Sequence, residues 1–136
     1  MELCKESLRS FSAKRRNEDG SYNLEEREIR SIMRDVCLGL QELHNRGIVH
    51  MDINPENILE SFSGKFKIGD LGMSRLLTSI AEDHEIPEGD CRYMAKEVLI
   101  DDPNVPIPDL TKADVFAMGI VLFEMVEGVT IQKNGP

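Results

Sequence analysis

Positive charge, cysteine and long apolar runs are all scarce in this 136-residue chain. It carries 16 lysines and arginines against 25 aspartates and glutamates, for a formal charge of -9. That balance argues against a nucleic-acid-binding surface, which needs clustered cations to meet phosphates, although a local patch stays compatible with it. No run approaches the roughly 18 apolar residues that span a bilayer, so no membrane segment is predicted. Residues 1–15 hold no uninterrupted hydrophobic stretch, and no signal peptide is predicted. Cys4, Cys37 and Cys91 are odd in number and irregularly spaced, which reads as reduced thiols in a nuclear or cytosolic protein. The three histidines form no close cluster with them, which argues against a structural zinc site. No internal repeat is visible. What remains is 40% hydrophobic and 30% charged, the composition of one soluble globular domain with a real core.

Two segments carry helical signals. Ile29, Ile32, Met33, Val36, Cys37, Leu40 and Leu43 recur on one face through about four turns. They predict a helix that starts at a capping box of Asn23 and Glu26, buries Cys37 and ends before Gly47. A second helix is predicted from Thr111, where Thr111 and Asp114 have capping-box spacing and Leu110 and Val115 suit a hydrophobic staple. Ala113, Phe116, Ala117, Ile120, Val121, Leu122, Phe123, Met125 and Val126 leave it apolar nearly all round, which predicts a central, buried helix ending at Gly128. Between the two, Ile48–His50 is a short extended candidate. Ile58-Leu59 and Phe66–Ile68 flank a turn containing Gly64 and predict a hairpin with Asn57 at one end and Asp70 at the other. Leu8 and Phe11 suggest one or two helical turns within residues 4–15, and residues 16–22 read as a loop. Residues 73–110 hold an acidic run at 82–85 and the prolines Pro103, Pro106 and Pro108, and are predicted irregular.

The chemistry concentrates in His50-Met51-Asp52-Ile53-Asn54-Pro55-Glu56-Asn57 and in Asp70-Leu71-Gly72. Asn57 follows Asp52 by five residues and Asp70 follows it by 18. Phosphoryl transfer needs a positioned nucleophile and compensated phosphate charge. Asp52 is a candidate acceptor for a substrate hydroxyl proton. Asn57 and Asp70 offer the hard oxygen donors that magnesium prefers. Together with Arg92-Tyr93-Met94-Ala95-Lys96-Glu97 and with Asp114 at the head of an apolar helix, these motifs resemble the carboxyl-terminal lobe of protein kinases. More narrowly, His50-Met51-Asp52, Gly69-Asp70-Leu71-Gly72, Glu88-Gly89-Asp90-Cys91-Arg92-Tyr93, Ala95-Lys96-Glu97-Val98-Leu99 and Ala113-Asp114-Val115-Phe116-Ala117 resemble the Wee and Myt kinases, which inhibit cyclin-dependent kinases. The resemblance runs from the hinge-like Met1-Glu2-Leu3-Cys4 to the second helix.

This resemblance implies an α+β, protein kinase-like fold, with residues 1–136 as a mainly helical carboxyl-terminal lobe truncated at both ends of the full domain. Only 49 residues precede His50, too few for the usual nucleotide-binding lobe. The implied reaction is transfer of the ATP γ-phosphate, with Mg2+, to tyrosine or threonine of a cyclin-dependent kinase–cyclin complex. That reaction delays mitotic entry, and the implied location is the nucleus or the cytoplasm. Asp52 is implied as the catalytic base, and Asn54 stands where the family commonly has a lysine near the transferred phosphate. Asn57 and Asp70 are implied to bind Mg2+. Leu59 is implied to pack beneath the adenine, with Leu3 and Cys4 at the hinge edge of its pocket. His50 and Leu71 are implied to join an internal apolar stack, and Asp114 to hold the catalytic-loop backbone. Met51 replaces an arginine that meets an activation-loop phosphate in most kinases, so activation by loop phosphorylation is not expected. Asn54 supplies no positive charge, so slower transfer is expected. His44 and Tyr93 read as packing residues. Little or no activity is expected of residues 1–136 alone. The alternative reading is an inactive, pseudokinase-like module that binds a partner without transferring phosphate.

Overall fold

A computed structural model describes residues 2–100, 102 and 104–132; Met1 and Pro103, both named above, lie outside the described residues. In chain order the elements are β1 (Cys4–Ser7), α1 (Leu8–Ala13), α2 (Glu26–Asn45), β2 (Ile48–Val49), β3 (Ile58–Ser61), β4 (Phe66–Ile68), β5 (Arg75–Leu76), α3 (Leu77–Asp83) and α4 (Leu110–Glu127). Single 3-10 turns lie at Leu71–Met73 and Lys96–Val98. The sheet is antiparallel in the order β1-β3-β4, and β2 pairs separately with β5. This is the expected α+β fold, a small amino-terminal sheet region followed by a mainly helical region. Among the described residues no helix is long and apolar enough to cross a membrane.

The apolar stripe of α2 sets the position of the core. Ile32, Val36 and Leu40 are buried and meet Ile53, Ile58, Phe66 and the inner face of α4. Each such side chain, fully buried, contributes about 1.5–3 kcal/mol before the entropy of ordering is subtracted. Gly39 brings α2 close to β4, because a Cβ there would lie 3.2 Å from the Ile68 side chain. Cys37 is exposed, contrary to the expectation of core. It lies at the margin of the stripe, where nothing in the described chain covers it. The cap also differs from the expected Asn23–Glu26 box. The Glu28 carboxylate accepts the Glu25 N–H at 3.0 Å, two residues later than predicted. Leu24 packs against the core and keeps the chain extended up to Glu25. The Glu25 N–H, helped by Arg15, holds the Glu28 carboxyl below the ordinary range.

Three elements, β1, β5 and α3, carry no sequence pattern strong enough to announce them. Cys4-Lys5-Glu6-Ser7 has no β-branched residue and forms a strand through its backbone pairing with β3. In the stretch expected to be irregular, α3 is seven residues long and fully buries only Ile80, too little to show a period. The predicted hairpin forms as β3 and β4.

Helix α4 departs from expectation at its start and on its outer face. Its cap is Asp109, not Thr111: the Asp109 carboxylate accepts the Thr111 hydroxyl at 2.6 Å and the Thr111 N–H at 3.1 Å. Those two bonds, the hydroxyl first, hold the Asp109 carboxyl below its usual range. Leu110 is buried while Val115 is exposed, so the two do not form a staple. The helix buries one face rather than all of its surface. Ala113, Ala117, Val121 and Met125 point inward, whereas Phe116, Phe123 and Val126 are exposed among the described residues. The physical reason is that α2 and β2 pack against one side of it only.

Gly47 and Gly128, which follow α2 and end α4, sit at φ +69 and +67. A Cβ at Gly47 would meet nothing within 4 Å, but one at Gly128 would lie 2.5 Å from the Tyr22 backbone nitrogen and 2.9 Å from the Ser21 Cα. Gly47→Ala is therefore expected to cost only the left-handed strain, about 1–2 kcal/mol. Gly128→Ala adds a backbone clash, and denaturant titration should find it clearly the less stable of the two. Equal losses would show that the Ser21-Tyr22 turn gives way freely.

Candidate active site

One buried carboxylate holds the loop that carries Asp52. Asp114 is 1% exposed on α4. Its Oδ2 accepts the His50 N–H at 2.9 Å and lies 2.8 Å from His44 Nε2, while Oδ1 accepts the Met51 N–H at 2.9 Å. Met51 is thereby kept at φ +66, a left-handed conformation unusual for a side chain of its size. Its side chain is buried in a cluster with Val49, Ile80 and Leu110, against which Ile86 and Val98 also pack. His50 is fully buried. Its Nδ1 accepts the Asp52 N–H at 3.2 Å, so Nε2 carries the proton and donates to the Gly69 carbonyl at 2.9 Å. His50 thus fastens the Asp52 loop to the residue before Asp70. Leu71 does not join it in an internal stack. The 3-10 turn after Asp70 leaves Leu71 56% exposed.

Three nitrogen donors converge on the Asp52 carboxylate. Oδ2 accepts from Asn57 Nδ2 at 2.8 Å; Oδ1 accepts from Asn54 Nδ2 and from the Asp90 N–H, each at 3.1 Å. Asn57 Nδ2 also donates to the Asp52 carbonyl at 2.8 Å. Asn54 is buried beneath the loop and uses both ends of its amide within it.

The β3–β4 hairpin brings the two candidate magnesium ligands to adjacent strand ends. The Gly69 N–H donates to the Asn57 carbonyl at 2.8 Å. Gly69 lies close against Leu59: a Cβ there would lie 2.6 Å from a methyl carbon of Leu59, whose side chain would have to shift. Asp70 sits at φ +51, and its Oδ1 accepts the Gly72 N–H at 3.1 Å. Among the described residues Asn57 Oδ1 and Asp70 Oδ2 accept no hydrogen bond, which leaves two hard oxygens whose chemistry fits Mg2+. Leu59 and Cys4 lie on the neighbouring strands β3 and β1, with Ser7 opposite Leu59 and Cys4 opposite Ser61. Leu3, just before β1, is 78% exposed and has no cover among the described residues. The geometry therefore gathers Asp52, Asn54 and Asn57 in one loop and brings the strand end before Asp70 beside it, with Leu59 against Gly69. Cys4 and the preceding Leu3 lie toward the turn end of the hairpin, since Cys4 pairs with Ser61.

The segment at residues 88–95 packs onto this loop. A Cβ at Gly89 would lie 2.1 Å from the Met51 carbonyl oxygen, so only glycine permits the approach that lets the Asp90 N–H reach Asp52. The Asp90 carboxylate holds the Arg92 guanidinium and raises its pKa, and Arg92 donates onward to the Ile131 carbonyl at 2.9 Å. Tyr93, read from sequence as packing, also carries a polar network. Its hydroxyl accepts from Arg9 at 2.7 Å and donates to the buried Glu124 at 2.9 Å, while Glu124 takes the Ile131 N–H at 2.6 Å. Burial pushes the Tyr93 hydroxyl well above its ordinary pKa. Burial opposes the Arg9 charge, but Tyr93, Glu124 and Glu56 outweigh it and raise the Arg9 pKa. Sequence reasoning missed Arg9 and Glu124. A signal was present: Glu124 is the lone acid within the apolar run from Val115 to Val126, and a charge in such a run needs a buried partner.

The sequence pattern of the protein kinase domain matches residues 1–135. A probable protein kinase of Dictyostelium discoideum is 34% identical over 142 residues, covering 83% of this chain and 18% of that protein. The Wee1-like protein kinase of Arabidopsis thaliana is 34% identical over 134 residues, 98% of this chain and 24% of that protein. The mitosis inhibitor protein kinase wee1 of Schizosaccharomyces pombe is 36% identical over 141 residues, 99% of this chain and 14% of that protein. The chain thus spans a quarter or less of the length of these curated relatives. The match takes in the Asp52 loop, the hairpin and α4 alike, and this chain belongs to the protein kinase family.

Proposed function

We propose that this chain is the catalytic-loop portion of a Wee-like kinase that moves the γ-phosphate of ATP to a tyrosine, or the neighbouring threonine, of a cyclin-dependent kinase in complex with its cyclin. The reading is carried by one observation: the Asp52 carboxylate is held by three nitrogen donors, in a loop that also carries Asn57 and is joined through the Gly69 N–H to the strand end before Asp70, and among the described residues Asn57 Oδ1 and Asp70 Oδ2 accept no hydrogen bond. Support for the narrower assignment comes from Met51 and from relatives named as Wee1-like kinases and mitosis inhibitors. Negative regulation of mitotic entry and a nuclear or cytoplasmic location belong to the same proposal.

In this reading Asp52 accepts the proton of the substrate hydroxyl as that oxygen bonds to phosphorus and the bond to the departing ADP oxygen breaks. Asn57 and Asp70 would hold Mg2+, whose contribution is to neutralise charge on the phosphates. Leu59 would lie against the adenine, with Cys4 and Leu3 at its edge. The hydrogen bonds to Asp52 restrict its rotation, so it meets the substrate in one orientation. Met51 offers no charge to a phosphorylated loop. The apolar cluster around it holds the segment at Ile80, Ile86 and Val98 instead.

The test uses the full-length protein and a cyclin-dependent kinase–cyclin complex, with phosphotyrosine and phosphothreonine on the substrate as the readout. Asp52→Ala is expected to reduce transfer by about 10²–10⁴-fold; transfer at the wild-type rate would refute the kinase mechanism. Gly89→Ala is expected to push residues 88–90 off the catalytic loop and slow transfer by about 10²-fold with the fold intact. A normal rate in that variant would remove the Gly89 contact from the mechanism.

A further inference from the structure

Asn54 occupies the position at which a lysine was expected to approach the transferred phosphate. Its surroundings assign it other work. It is 5% exposed, and both ends of its amide are engaged. Nδ2 donates to the Asp52 carbonyl at 3.2 Å and to Asp52 Oδ1 at 3.1 Å. Oδ1 accepts the N–H groups of Glu56 at 2.9 Å and Asn57 at 3.2 Å. An asparagine amide has two N–H donors and one oxygen with two lone pairs, so these four bonds exhaust it. Turning the side chain toward a phosphate would break them and leave the Glu56 and Asn57 N–H groups without that acceptor.

We propose that Asn54 is a positioning residue: it braces the Asp52 carboxylate and folds the loop back on itself, and it does not contact the transferred phosphate. A lysine cannot do this work. An ammonium donates but has no lone pair to accept the Glu56 and Asn57 N–H groups. Asn54 therefore joins two halves of the loop. Its oxygen fixes the turn that aims Asn57, and its nitrogen, with that of Asn57 and the Asp90 N–H, fixes Asp52. The slower transfer expected from a missing positive charge is then the wrong way to describe this position: charge has been exchanged for orientation. The inference rests on the kinase reading for its consequence, but its geometry can be tested apart from it.

Two variants separate the roles in the full-length protein. Asn54→Asp keeps an oxygen for the turn and loses the donor to Asp52. Asn54→Lys supplies the cation and loses the acceptor. With unchanged melting temperatures, Asn54→Asp is expected to lower kcat about tenfold or more while the KM for ATP stays near wild type. Asn54→Lys is expected to give neither a higher kcat nor a lower KM for ATP. A gain from the lysine, or a normal kcat in the aspartate variant, would overturn the proposal. A readout without phosphate transfer completes the test. In protein labelled with 15N-asparagine, the Asn54 side-chain NH2 signal is expected to move on Asp52→Ala and to stay in place on Asp70→Ala. A signal indifferent to Asp52→Ala would refute the brace even in an active enzyme, whereas an inactive wild type with the expected shift would refute only the kinase reading.

Discussion

The buried carboxylate of Asp114 is the constraint on which the site depends. It takes two consecutive backbone N–H groups, those of His50 and Met51, and faces the His44 ring at the same time. An isolated charge so deep would be costly, and hydrogen bonds to both oxygens are what make it tolerable. The arrangement ties three elements together: α2 through His44, the Asp52 loop through its backbone, and α4, which supplies Asp114. Removing the carboxylate would leave buried donors unpaired at about 1–3 kcal/mol each. The loop would also lose the bonds that hold Met51 in its left-handed conformation.

Met51 shows how an apolar contact can take over a job expected of an ion pair. An arginine here would need an anionic partner to justify its burial. Methionine needs only surface to cover, and Val49, Ile80 and Leu110 supply it. The segment from Met73 to Val98 is thereby docked on the catalytic loop by packing that salt does not screen. Glycine at position 89 then permits the close backbone approach that completes the contact.

The parts legible in the sequence were those with a local signature. The α2 stripe apart from Cys37, the β3–β4 hairpin and the two terminal glycines depend on residues close in the chain and appear where expected. The spacing of Asp52, Asn57 and Asp70 is equally local, and so is readable without the fold. Caps were less legible, because polar residues at capping-box spacing recur at 23 and 26 and again at 25 and 28, and tertiary packing of Leu24 decided between them. Strand β1 was illegible because pairing with β3, not its own residues, makes it a strand. The outer face of α4 shows the converse. Apolar character all round predicts burial, but burial also needs a neighbour, and the described chain supplies one on a single side. Arg9, Tyr93 and Glu124 lie 31 to 115 positions apart in pairs, so only the fold could bring them together. Asn54 was read by comparison with a lysine, which drew attention to its missing charge and away from the carbonyl oxygen that a lysine lacks.

Strain and hydrogen bonding explain each other at this site. Met51 and Asp70, on the two loops that meet at the candidate centre, are both non-glycine residues at positive φ. Each such residue costs about 1–2 kcal/mol relative to the right-handed region. Neither loop would hold that shape alone. His50 links them: its backbone N–H is held by Asp114, its Nδ1 takes the Asp52 N–H, and its Nε2–H reaches the Gly69 carbonyl beside Asp70. The chain of bonds from α4 to the residue before Asp70 is therefore continuous, buried at Asp114 and part-buried beyond the His50 ring. Such a chain makes the orientation of Asp52 and Asp70 a property of the whole core. Loosening α4 would release the Asp114 bonds that hold the His50 and Met51 backbone, and with them the support that the His50 ring gives to both loops.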